Sequence, residues 1–137
     1  MSAGYSGTPL AKKLTLRDGQ LCWFDAMPQR IMDEIAAYGL DLRHVANPAE
    51  GIDAAHIFVT EEAELAPKLA SLRQQIAQDG HIWVSWPKKG SGKETALDQA
   101  AVQRVGLAAD LVDTKKCAVD EVWSGLKFVI RKADRET

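Results

Sequence analysis

His81-Ile82-Trp83-Val84-Ser85-Trp86-Pro87-Lys88-Lys89-Gly90-Ser91-Gly92-Lys93-Glu94-Thr95 is the stretch that decides how this chain is read. His81 to Trp86 is a short apolar run bounded by Asp79-Gly80 and Pro87, the pattern of a buried strand. It leads into a loop that carries three lysines, two glycines and a serine, and then into a segment with helical spacing. α/β proteins build sites for anionic ligands in this order, because free amides and the positive end of a helix dipole meet there. The stretch therefore marks a fold class and a place, without naming a reaction.

On its amino side, Thr8 caps a short helix with Pro9 at the first position and Leu10 and Leu14 on one face. Gln20 to Ala26 is a first strand ending in Asp25, and Pro28 opens a helix through Tyr38 that Gly39 stops. Leu40 to Ala46 is a second strand, and Ala54 to Thr60 is a third, wholly apolar one. Leu65, Leu69, Leu72 and Ile76 make a helix of Glu61 to Gln78, with Pro67 setting where its regular part begins. Beyond the lysine loop, Ala96 to Ala109 reads as a helix, and Leu111 to Val119 and Leu126 to Arg131 as two strands. Only Asp120 to Gly125 separates them, so they are antiparallel neighbours.

The 137 residues, 46% of them hydrophobic, form one α/β domain, which buries roughly two thirds of the surface its unfolded chain exposes. Residues 1–15 make an N-terminal arm with a short helix, and the charged residues 132–137 a frayed tail. Residues 1–67 carry ten acidic and five basic side chains, residues 68–137 nine and twelve, so the lysine loop sits in the positive half of a chain with net charge −2. Cys22 and Cys117 match no metal or redox spacing and read as core thiols. No apolar run approaches the ~20 residues of a membrane span, so a cytoplasmic protein is expected.

Alternating strands and helices closed by a reversed hairpin resemble the class I methyltransferase fold with one strand-helix unit missing. The resemblance implies a three-layer, Rossmann-like, mostly parallel sheet of six strands in the order 2-1-3-4-6-5, with the last strand antiparallel. About eight residues separate the second and third strands, too few for a helical crossover, but at ~3.3 Å each they reach ~26 Å and can pass over one strand. A closer resemblance lies in Gly4-Tyr5-Ser6-Gly7-Thr8-Pro9-Leu10-Ala11-Lys12-Lys13-Leu14, His56-Ile57-Phe58-Val59-Thr60, Trp83 to Lys89, and Cys117-Ala118-Val119-Asp120-Glu121-Val122-Trp123-Ser124-Gly125-Leu126-Lys127. These strings are similar to a family of small bacterial proteins known as a domain of unknown function. That resemblance implies a complete family member and brings no activity.

Methyltransferases bind S-adenosylmethionine through a glycine-rich turn after the first strand and an acidic residue after the second. Here the first turn is Phe24-Asp25-Ala26-Met27-Pro28-Gln29-Arg30, without glycine, and Asn47 and Glu50 are what the second offers. Aligned as a phosphate-binding loop on Gly92-Lys93, the chain has Pro87 in place of the first glycine and Glu94 in place of the hydroxyl, which excludes a nucleotide triphosphatase. What survives is a weaker anion site of Lys88, Lys89 and Lys93 around Gly90, Ser91 and Gly92, or else a solvated loop that keeps a sheet end soluble.

Asp25, Thr60, Ser85 and Trp86 belong to the same place, the carboxyl ends of adjacent strands, and Asp25 reads as a helix cap or a general base. His56 and His81 begin strands at the opposite end, and His44 has no partner. No metal site and no nucleophile elbow is present in the sequence. Trp83 and Trp86, three apart, point to opposite faces. Trp123, in the hairpin turn, either packs back over the sheet or anchors a partner, and Tyr5 either covers the sheet end or is disordered. The expectation is a non-catalytic binding or regulatory module for a small anion, with no cofactor and no membrane. A divergent S-adenosylmethionine-dependent methyltransferase, a protein- or RNA-interaction domain and a homodimer remain open, and the acidic first half argues against nucleic acid.

Overall fold

In the computed structural model, which describes residues 7–136, six strands form a single sheet. They are β1 (Leu21–Asp25), β2 (Arg43–His44), β3 (Ile52–Phe58), β4 (Ile76–Pro87), β5 (Val112–Ala118) and β6 (Trp123–Val129). The order is β2-β1-β3-β4-β6-β5, as expected. β2, β1, β3 and β4 run parallel, while β6 is antiparallel to both of its neighbours. α1 (Leu10–Lys13) and α2 (Gln29–Ala37) cover one face, and α3 (Glu62–Gln75) and α4 (Gln99–Ala108) cover the other.

Strand parity divides the core in two. Ile82, Val84 and Trp86 of β4 join Leu65, Leu69, Leu72, Val102 and Phe128 on the α3/α4 face. Trp83 instead joins Leu10, Leu14, Ile31, Ile35 and Phe58 on the α1/α2 face, so the two tryptophans do point apart. Every residue from His81 to Pro87 is buried, which is why this strand lacks the alternating polarity of a sheet edge.

Several boundaries move for identifiable reasons. β2 shrinks to two exposed residues, because this edge pairs only Leu21 with Arg43 and Cys22 with His44. The crossing from β2 to β3 needs no helix: Gly51 donates its amide to the Gln75 carbonyl at 2.7 Å, and Gln75 Nε2 donates to the Pro48 carbonyl. α3 begins at Glu62 and runs through Pro67, whose missing amide removes one helical bond near the start. It ends at Gln75, because Ile76 already pairs with Ile52 and begins β4. α4 starts at Gln99, since the Asp98 carboxylate caps it by accepting the Ala101 amide at 2.8 Å.

The ends also differ from expectation. Pro9 occupies the cap of α1 with no side-chain bond, so Thr8 does not cap it. The tail is not frayed as far as Glu136: Arg135 Nε donates to the Ile130 carbonyl, and the Glu136 amide to Gln78 Oε1 at 2.9 Å. Tyr5 lies outside the described residues. Among the described residues, no helix is long and apolar enough to cross a membrane.

Gly106 is where α4 touches the sheet. A Cβ added there would lie 2.1 Å from Cε1 of the fully buried Phe128. The ring has nowhere to go, so overpacking of about 1–3 kcal/mol outweighs the gain of up to ~1 kcal/mol from alanine's helix propensity. Gly106→Ala is therefore expected to lower the urea midpoint with an unchanged m-value. An unchanged or raised midpoint would contradict this packing.

Candidate functional site

The predicted residues do gather at the carboxyl edge of the sheet, but most of them are already engaged. Asp25 ends β1, and its Oδ2 accepts from Lys68 Nζ at 2.6 Å. It caps nothing: Pro28 occupies the cap of α2 without a side-chain bond. Thr60 gives its carbonyl to the Thr95 hydroxyl, which also accepts the Leu97 amide. Trp86 is buried beneath α3 and α4, turned away from the edge. Ser85 is fully buried.

The lysine loop departs from the expected anion cradle. The Lys88 amide donates to the Val122 carbonyl at 2.7 Å, and its ammonium donates to the Asp120 carbonyl at 2.6 Å. Gly90 and Gly92 take φ of +79° and +91°, the left-handed region that glycine enters freely. Between them, the Ser91 amide turns back to the Lys88 carbonyl, and the Ser91 hydroxyl accepts the Lys93 amide at 3.4 Å. No helix follows directly, because α4 starts at Gln99 behind its own Asp98 cap. The expected help from a helix terminus is therefore missing. Lys89 is exposed, and Lys93 Nζ lies 5.9 Å from the centroid of the Trp123 ring.

Trp123 packs rather than projects. It is 6% exposed and meets Phe58 edge to face at 5.0 Å, yet its Nε1 is buried without an acceptor among the described residues. An indole nitrogen is donor only, so this is an unused donor. Asp120 organises the turn around it. Its Oδ1 accepts the Val122 and Trp123 amides at 2.8 Å each, and its Oδ2 accepts from Arg30 Nε at 2.8 Å and is 2.7 Å from Arg30 Nη2. Sequence reading missed Asp120 and Arg30. An Asp two residues before Val122 in a hairpin turn was the available signal, since Asp bonds backbone two residues on.

The histidines depart from expectation in their place along the strands, although His81 does line the amino edge of the sheet. β3 starts at Ile52 and β4 at Ile76, so His56 and His81 lie inside strands rather than at their beginnings. His56 Nε2 and Ser85 Oγ share a hydrogen bond of 2.6 Å, with the imidazole stacked on Phe58 at 4.5 Å. Burial, reinforced by His81, pushes the His56 pKa down to about 3. His81 falls likewise to about 3, through burial and then the nearby Lys127 and Arg17 charges. The serine-histidine pair is shut away from solvent, so it joins two strands and meets no substrate in this arrangement. Burial, helped by Asp53, raises the Cys22 thiol to about 11, consistent with a core thiol.

These neutral histidines fix a pH dependence. An unfolded histidine takes a proton near its ordinary value of 6.5, whereas the folded ones resist until about pH 3. Their contribution is complete above pH 6.5 and is lost as pH falls toward 3, at about 1 kcal/mol per pH unit for each histidine. The urea midpoint should fall between pH 7 and pH 4 while carbon-13 shifts of the His56 ring stay those of neutral imidazole. A His56 ring that titrates at its ordinary value in the folded protein would contradict the buried pair.

No curated protein matches the chain. Among solved structures, it is similar to a TehB-like SAM-dependent methyltransferase from Corynebacterium glutamicum, with 11% identity and a TM-score of 0.55, covering 94% of this chain and 91% of that one. It is also similar to the magnesium protoporphyrin IX methyltransferase ChlM from Synechocystis with bound SAH, at 10% identity and a TM-score of 0.53 over 83% of this chain and 75% of that one. Aeropyrum pernix fibrillarin with bound S-adenosyl-L-methionine gives 10% identity and 0.54, over 92% and 70%. Likeness at this identity is likeness of fold. A family model for a protein of unknown function, DUF3052, matches residues 11–132, and by that match the chain belongs to the DUF3052 family, on a methyltransferase-like fold.

Proposed function

We propose that this chain is a non-catalytic binding module that holds a small anion at the carboxyl edge of its sheet, between the Lys88–Lys93 loop and Trp123. The observation that carries this reading is the buried Trp123 Nε1, a donor with no acceptor among the described residues, in a ring over which the Lys93 ammonium lies 5.9 Å from the centroid. Leaving a buried donor unsatisfied costs about 1–3 kcal/mol, and an anion oxygen satisfies both groups. Lys88, Lys89 and Lys93 form no ion pair with a carboxylate among the described residues, so the positive charge of the loop stays available. Open α/β sheets hold their ligands at this edge.

Methyl transfer has weaker support. The turn after β1 has Ala26 at φ +58°, a left-handed position that a side chain resists, and no glycine through which backbone approaches a ligand closely. The Asp25 carboxylate beside it is paired with Lys68, and Glu50 stands exposed in a loop. Two of the solved structures named above, ChlM and fibrillarin, hold SAH and S-adenosyl-L-methionine, and likeness of fold at this identity does not carry those contacts to this chain.

Calorimetric titration with pyrophosphate tests the reading. Trp123→Phe keeps an aromatic ring in place and removes the donor, and it should weaken binding at least about tenfold, the worth of one hydrogen bond to an anion at ~1.5 kcal/mol or more. Lys93→Ala should weaken it at least as much. No binding by the native chain, or variants that bind like it, would overturn the proposal.

A further inference from the structure

The opposite edge of the sheet holds a second polar constellation. A cleft of about 350 Å³ opens there, at the lower end of the range for small-molecule sites. Its floor is the start of the parallel sheet, where Ala54 pairs with His81 and the neighbouring strand adds Lys127 opposite Trp83. Its outer wall is the segment from Thr15 to Gln20, which leaves α1 through Thr15 at φ +57°. Trp83 Nε1 donates to the Leu14 carbonyl at 2.8 Å and fixes where that wall begins. Gly80 completes the floor: a Cβ there would lie 2.7 Å from the Asp53 carbonyl oxygen.

Charge in this cleft is mixed, two cations against three carboxylates. Arg17 and Lys127 line it, and neither forms an ion pair among the described residues, although Asp18, Asp53 and Asp79 line it too. Two of those carboxylates are committed to backbone. Asp53 Oδ2 accepts the Leu21 amide at 2.8 Å, and Asp18 Oδ1 accepts the Asp41 amide at 2.7 Å. His81 lines the same cleft, 6% exposed, and its Nε2 has no hydrogen-bond partner among the described residues. Burial, together with the like charges of Lys115 and Arg17, lowers the Lys127 pKa, the mark of a cation held where water does not fully stabilise it.

We propose that this amino-edge cleft is a second binding site, one that takes a small oxyanion, a carboxylate or a phosphate, on Arg17 and Lys127 over the His81 imidazole. The anion meets two cations that form no ion pair among the described residues, and hydrogen bonds of this charged kind are about twice as strong as neutral ones. Arg17 supplies a planar fork suited to two oxygens, and Lys127 a point charge. The site is independent of the lysine loop, which lies beyond the other end of β4.

Proton-nitrogen correlation spectra of the full chain, titrated separately with inorganic phosphate and with malonate, test it. Saturable shifts are expected at the Gly80, His81 and Lys127 amides, and whichever probe saturates first tells phosphate from carboxylate. Arg17 is exposed, so Arg17→Gln should leave the fold intact and weaken binding about tenfold, and Lys127→Gln should act in the same direction. No saturable shift at these amides with either probe, or shifts unchanged in both variants, would overturn the site. Shifts confined to Gly90–Lys93 would overturn it while leaving the carboxyl-edge reading standing, and failure of pyrophosphate to bind at the carboxyl edge leaves this proposal untouched.

Discussion

The indole N–H of Trp83 donates to the Leu14 carbonyl across 69 residues, and the placement of the rest follows from that tie. β4 is buried on both faces, so helices must cover it from both sides, and Trp83 and Trp86 take one side each. One side has only the short α1 and α2 to offer, and the indole bond holds the end of α1 where Leu10, Ala11 and Leu14 seal that face. A buried carbonyl left without its donor costs about 1–3 kcal/mol. The same bond sets the start of the Thr15–Gln20 wall at the amino edge.

From that frame the two sheet edges acquire different characters. The carboxyl edge is largely occupied by the chain's own contacts: Asp25 with Lys68, Thr95 with Thr60, Lys88 with the Asp120 carbonyl, and Arg30 with the Asp120 carboxylate. The partly exposed pair of Asp25 and Lys68 contributes little stability after solvent screening, but it fills the corner that follows β1. Among the described residues three buried polar atoms remain unsatisfied: Trp123 Nε1 at the carboxyl edge, His81 Nε2 at the amino edge and Gln75 Oε1 at the end of α3. Native folds satisfy nearly all buried polar atoms, which makes such exceptions informative.

Much of the fold was legible because it depends on local pattern. The three-residue spacing of Trp83 and Trp86 gave the two-sided burial, the short link after Val119 gave the antiparallel hairpin, and the brief stretch around Pro48 gave a crossing without a helix. The candidate site was legible only as a position. Whether Ser85 meets His56 depends on the register of β3 against β4, and on Gly125 opposite Ser85, where a Cβ would come within 3.4 Å of the hydroxyl. Register between strands 29 residues apart is a tertiary outcome that neither segment encodes alone. The same holds for Arg17 and Lys127, which a sequence reading has no reason to place in one cleft. Asp98 shows a different loss: it stands in an ordinary cap position, and the helical spacing from Leu97 onward drew the boundary past it.

A methyltransferase-like sheet whose corner after β1 is filled by an ion pair and closed by a turn without glycine is the centre of this account. Calorimetric titration of the native chain with S-adenosylmethionine up to millimolar concentration addresses it most directly. The expected result is no saturable heat of binding. A saturable isotherm, with amide shifts from Asp25 to Arg30, would contradict it and return the chain to the cofactor-binding members of its fold.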